Sequence, residues 1–225
     1  MREAHAAHEA HAALQHQFDT LEQQKEASTL GMWIFLVTEI MFFGGLFCAY
    51  LIHRRQAYEG FAEASFALDV GLGAFNTAVL IGSSLTMALA VWAAQVGRRK
   101  ACFGLLLVTI ALGSVFLGVK VIEYSHKFHE HHVPGPHFHW EGTYPEAAEV
   151  FYSLYFAMTG LHALHMVAGI GVLAALLWPA WKGRYSAAYH NPVELTGLYW
   201  HFVDIVWIFL FPLLYLIGRH YDAAH

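Results

Sequence analysis

Five runs of apolar residues, at roughly 30–52, 71–96, 101–124, 147–178 and 194–218, constrain this chain more than any other feature. A bilayer core about 30 Å thick is crossed by about 20 residues of helix, and every run reaches that length. Inside hydrocarbon each backbone N–H and C=O must be bonded within its own segment, so such runs cross as helices. At 57% hydrophobic and 13% charged, the chain also lacks the charged surface of a soluble domain. The expectation is an all-α polytopic membrane protein. A bundle of five transmembrane helices fills 30–218, preceded by a tail or amphipathic surface helix at 1–29 and followed by an external tail at 219–225.

Other classes drop out. Twelve Lys and Arg are scattered along the chain, and a net charge of −5 offers phosphates no attraction, which excludes nucleic acid as a partner. The glycines form no phosphate-binding loop, and no Ser/His/Asp arrangement suggests a hydrolase. Cys48 and Cys102 lie in apolar runs toward opposite faces and read as small core residues rather than a disulfide. Residues 1–29 lack the apolar segment of a cleavable signal.

Lys and Arg flank the spans unequally. Arg2, Lys25, Arg98, Arg99, Lys100, Lys182 and Arg184 fall on one side, with Arg54, Arg55, Lys127 and Arg219 on the other and Lys120 near that end. The excess predicts a cytoplasmic N-terminus and an external C-terminus. In the tail, Ala7, Ala10, Leu14, Phe18 and Leu21 recur at helical spacing. A stripe of small residues (Ala78, Gly82, Thr86, Ala90, Ala94) marks the second span, and Gly45 and Ala49 repeat it in the first, as close helix packing in lipid requires. Residues 125–147 should form an external loop.

Ionisable residues within spans are the candidates for function. Glu39 sits inside the first span, His162 and His165 one turn apart in the fourth, and His201 and Asp204 one turn apart in the fifth. At about 1.5 Å per residue the last four reach a similar depth and are expected to form one interhelical cluster. Two readings are open there. With Glu123 or Glu39 added, the set has the chemistry of a metal site; otherwise it is a hydrogen-bonded network that holds the last two helices together. No ligand set of recognised spacing closes, which favours the network. Lys120 and Glu123, three apart, read as an intrahelical ion pair or a snorkelling lysine. His126, His129, His131, His132, His137 and His139 crowd the loop, and His5, His8, His11 and His16 the tail, in His-rich tracts that read as surface decoration rather than metal sites.

The run Tyr199-Trp200-His201-Phe202-Val203-Asp204-Ile205-Val206-Trp207 closely resembles the last helix of subunit III of haem-copper cytochrome oxidases. Four further segments resemble that family in the same order: Thr38–Phe47, Phe75–Leu80, Glu123-Tyr124, and Thr159–His165 with its Thr-Gly-x-His-x-x-His pattern. His190 and Glu194 fall at the family's offsets before His201. Seven-helix members carry two more N-terminal helices, so this chain resembles the shorter bacterial form.

The resemblance implies an accessory subunit of a bacterial terminal oxidase in the cytoplasmic membrane, with no catalytic residue and no cofactor or metal of its own. Haem and copper are expected in partner subunits, chiefly the catalytic subunit I, with respiratory supercomplexes and membrane lipids as further partners. Proton uptake and protection of the catalytic subunit during turnover are the implied roles. Phospholipid occupies a cleft in longer members, and here one wall of that cleft would have to come from another subunit. On this basis Glu39, His190 and Glu194 are assigned to lipid or proton handling, and His162, His165, His201 and Asp204 to structure. The electron donor is read as cytochrome c, with a quinol oxidase or a nitric oxide reductase accessory protein as alternatives. From other classes, a membrane di-iron hydroxylase or desaturase is disfavoured because the His groups do not converge on one side, and a transporter because no inverted repeat is visible.

Overall fold

The computed structural model describes residues 16–185 and 189–220, without the side chains of Arg219 and His220. Ala7, Ala10, Leu14, the tail histidines His5, His8 and His11, Arg2, the Arg219 side chain and residues 221–225 lie outside the described residues. Six helices follow in order: α1 (Leu21–Gln56), α2 (Tyr58–Phe66), α3 (Val70–Gln95), α4 (Arg99–His129), α5 (Pro145–Trp181) and α6 (Asn191–Tyr215), then a 3-10 turn at Ile217–His220. All but α2 are long and apolar enough to span a membrane.

Capping explains where the helices start and stop. The Thr20 hydroxyl accepts the Gln23 N–H at 3.1 Å, and Gln23 Oε1 accepts the Asp19 N–H at 2.9 Å. Two otherwise orphaned donors are thereby satisfied. Helix α1 accordingly begins at Leu21 and runs straight from the tail into the first span. Asp69 caps α3 in the same way through Leu72 N. At the other ends, Gly97 (φ 72°) and Gly183 (φ 69°) terminate α3 and α5. In each case the next N–H reaches back to a carbonyl five residues earlier: Arg98 to Ala93 at 2.8 Å, Arg184 to Pro179 at 2.9 Å. This is the left-handed glycine stop, which closes the α3–α4 hairpin tightly. With 36 and 37 residues, α1 and α5 extend about 54 Å and 55 Å and project beyond the hydrocarbon.

The core is built from aromatic side chains. Trp200, Trp207, Tyr50, Tyr152, Tyr155, Tyr215, Phe61 and Phe116 are fully buried. Trp200 of α6 reaches α4 and α5 where neither carries a side chain. A Cβ on Gly113 would lie 2.8 Å from its ring, and one on Gly169 would lie 3.0 Å away. By contrast α1 touches the bundle along a narrow seam: its buried residues are Leu36, Phe43 and Tyr50, spaced by seven.

Several expectations are corrected. Gly45 meets nothing within 4 Å, so its small-residue pair with Ala49 makes no contact at that glycine within this chain. Cys48 is exposed because it faces away from the seam, whereas Cys102 is buried. On α3, Ala90 and Ala94 of the expected stripe are buried, but Ala78 is exposed, and the buried line begins at Gly73, Asn76, Leu80, Ser83 and Met87. The irregular part of the external loop is 130–144, since α4 runs on through His126 to His129. Helix α2 was not anticipated. Its nine residues are too short to cross a bilayer, and they pack against α5 and the 3-10 turn.

Candidate functional site

Glu39 and His165 meet across α1 and α5, with Glu39 Oε2 at 3.1 Å from His165 Nε2. The other ring nitrogen, Nδ1, lies 2.9 Å from the Leu161 carbonyl. A carbonyl only accepts, so Nδ1 carries a hydrogen. The contact at Nε2 therefore holds one proton between carboxyl and imidazole, and the pair is neutral overall wherever that proton sits. Tyr199 of α6 donates to the His165 carbonyl at 3.0 Å, and Phe43 packs on the ring at 5.3 Å.

The expected four-residue cluster does not form. His162 is 1% exposed and lies between Phe116 and Trp207, at 5.4 Å and 5.2 Å, with no partner for either nitrogen. His201 Nδ1 is bonded to the Ser84 hydroxyl of α3 at 2.7 Å. Asp204 is buried, and neither oxygen makes a well-formed hydrogen bond. Residues three apart on a helix are about 60° apart around its axis. His162 and His165 therefore address different neighbours, whereas His201 and Asp204 both turn toward Ser84 of α3. Among the described residues, no three His, Cys, Asp or Glu side chains converge to hold a metal ion.

At the opposite end from the His-rich loop, Glu194 ties three helices together. Gln95 of α3 donates to its Oε1 at 2.5 Å, His190 Nε2 lies 3.3 Å from the same oxygen, and Lys25 of α1 is 3.8 Å from Oε2. A cavity of about 190 Å³ adjoins this group, with Lys25, Ser28, His190 and Asn191 in its wall. Lys25, Arg98 to Lys100, Lys182 and Arg184 all gather at this end, while Arg54 and Lys127 lie at the other.

A further buried polar group was visible in sequence only as Lys120 and Glu123. Lys120 Nζ donates to Glu123 Oε2 at 2.8 Å, and also to Tyr155 and Tyr215, each at 3.1 Å. Both tyrosines in turn donate to Glu123 Oε1, at 2.9 Å and 2.5 Å. The lysine is 3% exposed and does not snorkel. Two turns on from Lys120, Lys127 donates to the Ala67 carbonyl at 3.0 Å and to Glu130 at 2.6 Å. In the loop, burial opposes ionisation of Glu130, but the Lys127 bond and charge, with His132, outweigh it and hold its carboxyl below the usual range. His132 is held below the usual imidazole range by burial and by Lys127, with Glu130 opposing. Its ring stacks on Tyr152 at 5.2 Å.

Grooves run along two sides of α6. One of about 540 Å³ lies against α1, lined by Leu36, Phe43, Phe202 and Phe209 among others. The second, of about 370 Å³, lies against α3 and includes Ser84, His201 and Asp204.

The family model for cytochrome c oxidase subunit III matches residues 9–219. This chain belongs to the cytochrome c oxidase subunit III family. It is 32% identical over 202 residues to cytochrome c oxidase subunit 3 of Thermostichus vulcanus, covering 89% of this chain and 92% of the relative. It is 33% identical over 192 residues to the probable cytochrome c oxidase subunit 3 of Nocardia farcinica, covering 84% and 87%. It is 28% identical over 205 residues to the cytochrome bo(3) ubiquinol oxidase subunit 3 of Pseudomonas aeruginosa, covering 90% and 91%. The chain is thus a multi-pass membrane subunit III of a haem-copper oxidase. As a member of the subunit III family it carries the Glu39–His165 contact on two motifs that suggested the family, Thr38–Phe47 and Thr159–His165.

Proposed function

We propose that this subunit III is an accessory chain without a redox centre of its own, which packs beside the haem-copper catalytic subunit, supports its proton uptake and prolongs its activity. The observation that carries this reading is how its buried histidines are used. His165 is committed to Glu39, His201 to Ser84, and His162 to the space between two aromatic rings. None of these arrangements fits a haem or copper ligand set, which supports placing the oxidase chemistry in partner subunits.

Within that role, Glu39 with His165 is a proton-holding pair at membrane depth, and His190 with Glu194 forms a polar group at the end rich in Lys and Arg. We assign that end to the cytoplasm of a bacterial inner membrane, because cationic residues are retained there. The groove between α1 and α6 suits a phospholipid acyl chain, being lined almost wholly by apolar side chains. Cytochrome c is the proposed electron donor, since the relatives at 32% and 33% identity are named as cytochrome c oxidases, whereas relatives named as ubiquinol or quinol oxidases stand at 28% to 30%.

Purification of the native complex tests the assignment. A haem-copper catalytic subunit should co-purify, with haem and copper retained when this chain is stripped away. The depleted enzyme should begin turnover normally and then inactivate sooner than the intact one. Loss of stoichiometric haem or copper together with this chain would overturn the reading.

A further inference from the structure

Asp204 is 3% exposed, and neither carboxyl oxygen makes a well-formed hydrogen bond. Ser84 approaches it from α3 and also contacts His201 Nδ1 at 2.7 Å; its single hydroxyl hydrogen can serve at most one of the two carboxyl oxygens, so at least one is left without a donor. A buried acid left without a donor costs about 1–3 kcal/mol. Ionisable groups at membrane depth face protein rather than lipid. Asp204 nevertheless lines the groove of about 370 Å³ between α3 and α6, at the surface of this chain. Apart from Ser84 and His201 the groove is lined by apolar side chains, several of them open: Ile81 is 55% exposed, Leu85 60%, Ile205 51% and Ile208 47%. The second groove, against α1, shares His201 and Ile205 with it, so α6 stands as a ridge between two furrows. Ridges set into grooves are how helices pack.

We propose that the groove between α3 and α6 seats a transmembrane helix of another oxidase subunit, and that this helix presents a hydroxyl, amide or indole donor to Asp204. The inference rests on the assignment of the chain as an oxidase subunit. A lipid does not meet the same need. Acyl chains fill the apolar walls but bring no donor. Headgroups stay at the interface, whereas Asp204 is about 20 Å from the start of α6 and about 16 Å from its end. A transmembrane helix brings both an apolar surface and a polar side chain to that depth.

The test uses the native complex with a benzoylphenylalanine photocrosslinker in place of Ile205 or Ile208, and controls in place of Val121 on α4 and Leu164 on α5, which are 68% and 64% exposed. Irradiation is expected to join the Ile205 and Ile208 positions to another subunit. Asp204→Asn, which keeps an acceptor oxygen, should leave recovery of this chain with the complex near wild type, while Asp204→Leu lowers it several-fold. Because Asp204→Leu could act by unfolding the chain, Ile208→Trp fills the groove from its exposed rim and should lower recovery as well. Adducts to lipid alone from both groove positions would overturn the proposal, as would wild-type recovery of Ile208→Trp. If no haem-copper subunit co-purifies at all, the subunit assignment itself fails; if one does and the groove positions miss it, only the docking surface fails.

Discussion

Removing the carboxyl of Glu39 strands a nitrogen. His165 Nδ1 is already committed to the Leu161 carbonyl, so Nε2 has Glu39 as its hydrogen-bond partner. Glu39→Leu should therefore cost about 1–3 kcal/mol, whereas Glu39→Gln supplies an amide donor to the same nitrogen and should cost less. Thermal unfolding of the detergent-solubilised protein separates the two, and indistinguishable midpoints would contradict the pairing. The second residue-scale consequence concerns His132. Its folded-state pKa is depressed, so it binds a proton less readily folded than unfolded. The stability it contributes is fully present above the unperturbed imidazole value of about 6.5 and is lost as pH falls below it. Hydrogen-exchange protection factors in residues 130–142, taken relative to the intrinsic rate at each pH, should fall between pH 7.5 and pH 5.5, and His132→Phe should flatten that dependence. Unchanged protection factors across that window would refute the mechanism.

Among the helices, the clearest consequence lies where α4, α5 and α6 meet around Lys120 and Glu123. Breaking a buried ion pair leaves an uncompensated charge, which costs about 3–5 kcal/mol, whereas replacing both partners by apolar groups is often far milder. Lys120→Met should therefore destabilise the protein more than the double change of Lys120→Met with Glu123→Leu, as read by denaturant unfolding in mixed micelles. A double variant less stable than the single would contradict it. The spacing of Lys120 and Glu123 was readable as an ion pair in the linear chain. Tyr155 and Tyr215 were not, because they arrive from helices 35 and 95 residues away. Helix α2 escaped notice for a related reason. Its burial on Gly60, Phe61, Ala62, Ala64 and Ser65 follows no single amphipathic stripe and comes from neighbours on several sides.

At the scale of the molecule, hydrophobic length and the spacing of caps are local properties, carried wherever the chain goes. Five crossing helices and the family resemblance through Tyr199–Trp207 could be read from residue order alone. Which polar side chain meets which could not. Counting along each helix places His162, His165, His201 and Asp204 at a similar depth, yet depth leaves open the direction each side chain takes. That direction depends on how far each helix is turned about its axis and on which neighbour lies there. A turn of about 60° separates an imidazole bonded to a carboxyl from one wedged between Phe116 and Trp207. Glu39, from a span more than a hundred residues earlier, is the partner that His165 meets in place of the expected four-residue cluster. The turn of each helix is fixed by side-chain packing summed over the whole bundle, a non-local quantity that no periodicity in the sequence carries.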